Sequence, residues 1–137
     1  MKMIRLLLAV TLMATFYSGN AQVSNKADDA GEKIEAYYFH FTTRCMTCRT
    51  VEERAKENLG DLYPAQMKAG TVTFQAANLN EEAGKALAKK LGVSGQTLLL
   101  VKGSKQINLT NEAFLYAVTN PEKYRAIIKE KVDELNK

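Results

Sequence analysis

The chain has no tryptophan, two prolines, one histidine and two cysteines in 137 residues. Its only imidazole is His40, and its only thiols are Cys45 and Cys48. That set falls short of the four ligands a structural zinc site needs. A c-type haem needs a histidine directly after the second cysteine, and Arg49 stands there. No glycine-rich loop is present to cradle the phosphates of a flavin or nicotinamide. No basic block interleaved with aromatics occurs, so nucleic acid is not an expected partner. Beyond Phe16 there is no long apolar run, and the remainder is expected to be soluble. Internal repeats and low-complexity tracts are also missing.

The first stretch reads as a secretion signal. Met1-Lys2-Met3-Ile4-Arg5 is a short basic start, Leu6 to Phe16 an apolar core, and Tyr17-Ser18-Gly19-Asn20-Ala21 a small, polar end. The apolar core is too short to span a bilayer comfortably. Cleavage is expected after Ala21, with residues 1–21 as signal peptide. No cysteine lies directly after the apolar core to take a lipid. The expected location is periplasmic or secreted, where disulfides persist. The formal net charge of +4 falls to +2 when Lys2 and Arg5 leave with the signal. Residues 22–31 are small and polar and read as a flexible leader. Residues 32–137 are long enough for one domain with a core.

Along that domain the patterns alternate between strand and helix. Ile34 to Thr42 is aromatic on both faces, as in a central strand. Thr47 to Leu59 is helical, with Val51, Ala55 and Leu59 at intervals of four, and Gly60 and Pro64 are expected to end it. Thr71 to Ala76 alternates as a strand. Asn80 is expected to cap a helix from Glu81 to Leu91, closed by Gly92. Thr97 to Val101 is a continuous apolar strand. Lys102-Gly103-Ser104 is a hairpin turn, and Gln106 to Leu109 the return strand. Asn111 to Val118 is a short helix. Asn120-Pro121 opens a last amphipathic helix carrying Tyr124, Ile127, Ile128, Val132 and Leu135 on one face. The order β-α-β-α-β-β-α predicts an α/β fold. Its expected core is a mixed four-stranded sheet with helices on both faces, built from two parallel crossover units and a hairpin.

Cys45-Met46-Thr47-Cys48 falls between the first strand and the first helix. Thiols at i and i+3 can close a disulfide across one turn. The helix N-terminus offers free N–H groups and partial positive charge, which favour a thiolate at Cys45. Open α/β sheets place their sites at this edge. As a structural staple the pair would close a very small loop and constrain the unfolded chain little. The pattern therefore points to a redox-active dithiol, with no other cofactor and no bound metal.

The chain resembles the thioredoxin superfamily. The matching residues are Tyr38-Phe39-His40-Phe41-Thr42-Thr43-Arg44-Cys45-Met46-Thr47-Cys48 and Leu91-Gly92-Val93-Ser94-Gly95-Gln96-Thr97-Leu98-Leu99-Leu100-Val101-Lys102-Gly103. Within the superfamily, the Thr42-Thr43-Arg44-Cys45 and Cys48-Arg49 surroundings are similar to a small exported group. That group is named as a nitrophenyl-compound nitroreductase subunit family and is associated with arsenical resistance. Three departures stand out. Gln96 precedes Thr97 where thioredoxins have a cis-proline that shapes the substrate platform. Phe39 stands at the place of their buried acid, and Arg44 at that of their tryptophan.

The resemblance implies a thioredoxin-like fold and thiol–disulfide oxidoreductase activity. Cys45 would be the exposed attacking thiol and Cys48 the buried resolving one. Arg44 and Arg49 flank the motif and would lower the thiolate pKa, or serve as ordinary surface charges. Glu52 and His40 are candidates for proton transfer; the plainer readings are a solvated helix carboxylate and a packed strand residue. Gln96 and Thr97 would form the substrate platform. The implied direction is reductive. Electrons would come from a membrane electron-transfer partner, and the substrates would be protein or small-molecule disulfides and thiols. Two alternatives stay open. One is a dithiol module holding Cu(I) or As(III); the other is a thiol subunit of a nitroreductase system.

Overall fold

A computed structural model describes residues 33–137. The expected signal peptide and leader lie outside the described residues. β1 (Ile34–His40), α1 (Met46–Leu62), α2 (Pro64–Ala69), β2 (Val72–Asn78), α3 (Glu82–Leu91), β3 (Thr97–Lys102), β4 (Lys105–Asn108), α4 (Thr110–Tyr116) and α5 (Pro121–Leu135) follow in order. The strands form a four-stranded sheet of order β2-β1-β3-β4. This is an α/β architecture of the thioredoxin-like type, with a mixed sheet flanked by helices. None of these helices is long and apolar enough to cross a membrane.

β1 lies inside the sheet, which is why its apolar residues do not alternate with polar ones. It runs parallel to β2, from Ile34 opposite Val72 to His40 opposite Asn78. It runs antiparallel to β3, from Glu35 opposite Val101 to Phe39 opposite Thr97. The expectation of two parallel crossover units is therefore corrected: only β1 and β2 make one. β2 ends at Asn78 beside His40, and β3 begins at Thr97 beside Phe39. The chain leaves and re-enters the sheet at the same edge, so β3 must run back. Periodicity marks a strand without its direction.

Each face of the sheet has its own core. Ile34, Ala36, Tyr38, Leu98 and Leu100 pack with Val51, Ala55 and Leu59 of α1, Ala113 of α4, and Tyr124, Ile128, Val132 and Leu135 of α5. Tyr37, Phe39, Leu99 and Val101 face the other way, against Ala88, Leu87 and Leu91 of α3. At about 1.5–3 kcal/mol per fully buried large apolar side chain, the face shared by α1 and α5 carries most of the stabilisation.

Several boundaries differ from the sequence reading. α1 passes through Gly60 and ends at Leu62. A mid-helix glycine costs about 1 kcal/mol relative to alanine. Burial of Leu59 and the Asp61–Arg125 ion pair at 3.1 Å hold this last turn against α5. Pro64 does not simply break the chain but opens α2, where its missing N–H is harmless. α3 has Glu81 at its cap position with no side-chain cap. Asn80 instead accepts the Thr42 N–H at 2.8 Å, tying this loop to the one before Cys45. The short helix expected at Asn111–Val118 is α4, one residue earlier at its start and two at its end. α5 has the expected start, with Asn120 Oδ1 accepting the Lys123 N–H at 3.1 Å.

Candidate functional site

Cys45 is the N-cap of α1. Its backbone is extended, with φ −74° and ψ 167°, and its sulfur accepts the Cys48 N–H at 3.2 Å. A short polar side chain at this position satisfies one of the donors left free in a first helical turn. Cys45 and Cys48 are joined in a disulfide, with their Cα atoms 5.2 Å apart. Cys45 is exposed, whereas Cys48 is only 6% accessible, so an outside thiol or disulfide meets the Cys45 sulfur first. The first turn of α1 carries no acidic residue to offset the positive end of its dipole.

The approach loop is fastened to the loop after β2. Leu79 N–H donates to His40 O at 2.7 Å, and Asn78 Nδ2 donates to Thr42 Oγ1 at 2.9 Å. A cavity of about 370 Å³ lies beside it, lined by Phe41, Leu79, Ala88, Val93 and Ser94, with Lys85 and Lys89 at its margin. A smaller polar cavity of about 270 Å³ is lined by Arg44, Arg49, Glu52 and Glu53. Met46 and Phe41 are exposed, at 81% and 43%, and give the edge around the disulfide an apolar character.

Arg44 and Glu52 form an ion pair, each side chain about a quarter exposed. Arg49 is exposed. Glu52 is thereby engaged by Arg44, and among the described residues it makes no hydrogen bond to either sulfur. His40 is buried, donates from Nδ1 to Phe41 O at 2.9 Å and packs against the Tyr38 ring. The structure therefore brings neither proton-transfer candidate into hydrogen bonding with the cysteine pair.

Tyr38 and Gln96 are the residues beneath Cys48. Tyr38 is fully buried, and its hydroxyl donates to Cys48 O at 3.0 Å. Gln96 Nε2 donates to Tyr38 Oη at 2.5 Å, and Gln96 Oε1 lies 3.9 Å from Cys48 Sγ. Burial pushes the Tyr38 hydroxyl above its ordinary pKa, against smaller opposing effects of the Gln96 hydrogen bond and the Arg44 charge. The phenol stays protonated and keeps its donor role.

This corrects the alignment that put Phe39 at the buried-acid position. Phe39 packs in the α3 cluster, on the face away from α1. From the sequence, Tyr38 is one more aromatic of a central strand, a core or sheet-face residue. Strand parity could have found it, because Tyr38 shares its face with Ile34 and Ala36, which pack against α1. Thr97 is buried, and its hydroxyl donates to Gly95 O at 2.9 Å, fixing the turn that delivers Gln96. The backbone through Gly95, Gln96 and Thr97 is trans.

The strand order and the cysteine pair at the β1–α1 junction together make a thioredoxin-like fold that carries a CxxC disulfide. Neither the family models nor the curated proteins compared with the chain gave a match. The narrower likeness to the nitroreductase-subunit group thus rests on the residues around Cys45 alone. Among solved structures, the chain is similar to thioredoxin O2 from Arabidopsis thaliana in its oxidised state. The identity is 19% and the TM-score 0.48, over 76% of this chain and 84% of that one. It is also similar to a structure described as a malarial protein, with 19% identity and a TM-score of 0.46, over 72% of this chain and 96% of that one.

Proposed function

We propose that this chain is an exported thiol–disulfide oxidoreductase that works through Cys45 and Cys48 in the reductive direction. The observation that carries the reading is the asymmetry of the pair: an exposed sulfur at a helix N-cap joined to a buried one a turn further on. In the reduced protein, the Cys48 N–H and the helix end favour a thiolate on Cys45. That thiolate attacks a substrate disulfide, forming a mixed disulfide and releasing one substrate thiol. Cys48 then attacks the Cys45 sulfur, restores the internal disulfide and releases the second thiol. Arg44 and Arg49 add positive charge near Cys45, and Gln96 and Thr97 border the place where substrate arrives. Export and supply of electrons by a membrane carrier belong to the same reading and draw on the N-terminal sequence and the superfamily resemblance.

The equilibrium reduction potential of the pair, measured against a glutathione or dithiothreitol series, tests it. A value near about −270 mV supports a reductant or electron relay, and one near about −120 mV replaces that with a disulfide donor. A pair that stays oxidised below about −300 mV is a structural bond, and the enzyme reading falls. Cys48→Ser should accumulate mixed disulfides at Cys45, while Cys45→Ser should form none.

A second reading, a dithiol that holds Cu(I) or As(III), is favoured by the exposure of Cys45 and of the Met46 thioether beside it. Stoichiometric ion binding to the reduced protein, lost when both cysteines become serine, together with no disulfide exchange, would select it.

A further inference from the structure

The hydrogen bonds beneath the disulfide have only one consistent direction. The Cys48 carbonyl can only accept, so the single Tyr38 hydroxyl proton must point to it at 3.0 Å. The Tyr38 oxygen is then left as an acceptor, and Gln96 must present its NH2 there, at 2.5 Å. The Gln96 carbonyl is thereby forced to face the other way, toward Cys48 Sγ at 3.9 Å. In the disulfide that sulfur has no proton to donate. Once the disulfide opens, it can have one.

We propose that Gln96 Oε1 is the acceptor that holds a proton on the Cys48 thiol in the reduced protein, and that Tyr38 is the positioning residue that fixes its orientation. The proposal rests on the reading that the pair opens and closes. Titratable side chains on the surrounding elements include Tyr38 and His40 on β1, the paired Arg44 and Glu52, exposed Arg49, and Tyr124 on α5. The Tyr124 hydroxyl is engaged with Val51 O at 3.3 Å. Among the described residues only Gln96 presents a side-chain acceptor to the Cys48 sulfur. The two thiols therefore meet opposite chemistry. Cys45 faces an N–H donor, which favours thiolate. Cys48 faces a carbonyl acceptor, which favours thiol.

The consequence falls on the resolving step. In the mixed disulfide, Cys48 Sγ attacks Cys45 Sγ; one S–S bond forms and the bond to the substrate sulfur breaks. The proton leaves Cys48 and ends on the departing substrate thiolate, so no further oxidant or reductant is needed. An acceptor that holds this proton lowers the thiolate fraction of Cys48 and slows resolution. The mixed disulfide lives longer, which gives time for capture of a large partner.

The test is the titration of both cysteines in the dithiothreitol-reduced protein, followed by the NMR shifts of their Cβ carbons. In Tyr38→Phe the amide is no longer anchored and can turn its NH2 to the sulfur. The Cys48 pKa should fall by about one pH unit, the worth of one net hydrogen bond, with Cys45 unmoved. In Gln96→Glu a carboxylate faces the sulfur, and the Cys48 pKa should rise. Opposite displacements in two folded variants support the assignment; a role in packing alone would lower thermal stability without them. Cys48 titrating alike in all three proteins overturns this assignment and leaves the oxidoreductase reading standing. A pair that dithiothreitol cannot open overturns both.

Discussion

Arg44 and Glu52 are ion-paired across the first turns of α1, so the guanidinium next to Cys45 is already partly neutralised. Replacing Glu52 by Gln frees that charge to act on the Cys45 thiolate. The thiolate belongs to the reduced form, so the pair should become more oxidising. A partly exposed charge pair is worth about 0.2–1 kcal/mol, which predicts a rise of about 5–20 mV in reduction potential. A fall in potential, read against a glutathione series, would contradict the pairing as drawn.

Gly84 sits where α3 crosses the end of β2. A Cβ added there would overlap the Asn78 backbone carbonyl, which already accepts the Glu81 N–H. Gly84→Ala should cost about 1–3 kcal/mol, the usual penalty for overpacking. It should appear as a lower urea midpoint with an unchanged slope. Asn78 also tethers Thr42, so the same variant should change the rate of thiol exchange at Cys45.

Leu100 and Leu115 offer a contrast of burial. Leu100 is 1% exposed on β3, and Leu115 is 60% exposed on α4. Leu100→Ala should destabilise by about 2–5 kcal/mol, and Leu115→Ala by no more than about 0.5 kcal/mol. Chemical denaturation of the two variants checks both. A large effect at Leu115 would show that this surface is covered.

Alkaline pH should unfold the protein through its tyrosines. Burial, together with Glu35 for Tyr37 and Asp133 for Tyr63, raises the pKa of both, Tyr37 to about 12. Tyr38 and Tyr124 are raised mainly by burial. Each binds its proton more tightly folded than unfolded. The stability they contribute is complete below the ordinary tyrosine value of 10 and is lost as pH rises through the folded values. Denaturant midpoints should therefore decline above about pH 10, in step with phenolate absorbance. A midpoint that held steady to about pH 12 would refute this.

Much of the fold is legible in the order of residues because its signals are local. β1 and β3 announce themselves by apolar residues on both faces, and α5 by Asn120-Pro121 and its stripe. The hairpin at Gly103 and the stop at Gly92 follow from glycines with φ of 57° and 72°. What could not be read is tertiary. Gly60 stays helical because α5 packs across that turn, and β3 runs backward because of where β2 ends. At the site, the cysteines and their flanking arginines were visible as a motif. Tyr38 was not, because counting back from Cys45 selects Phe39, and only the strand's facing decides which aromatic lies under the sulfur. The engagement of Glu52 by Arg44 is likewise a matter of rotamers across α1.

In the proposed oxidoreductase, Cys45 is at once the reacting sulfur and the cap of a 17-residue helix. Electron transfer and helix termination thus share one atom. A disulfide sulfur is a weak acceptor for the Cys48 N–H, and a thiolate is a strong one. Each reduction tightens the first turn of α1, and each oxidation loosens it. Amide exchange at Cys48 should therefore slow on reduction, making the backbone itself a reporter of the charge state of the pair.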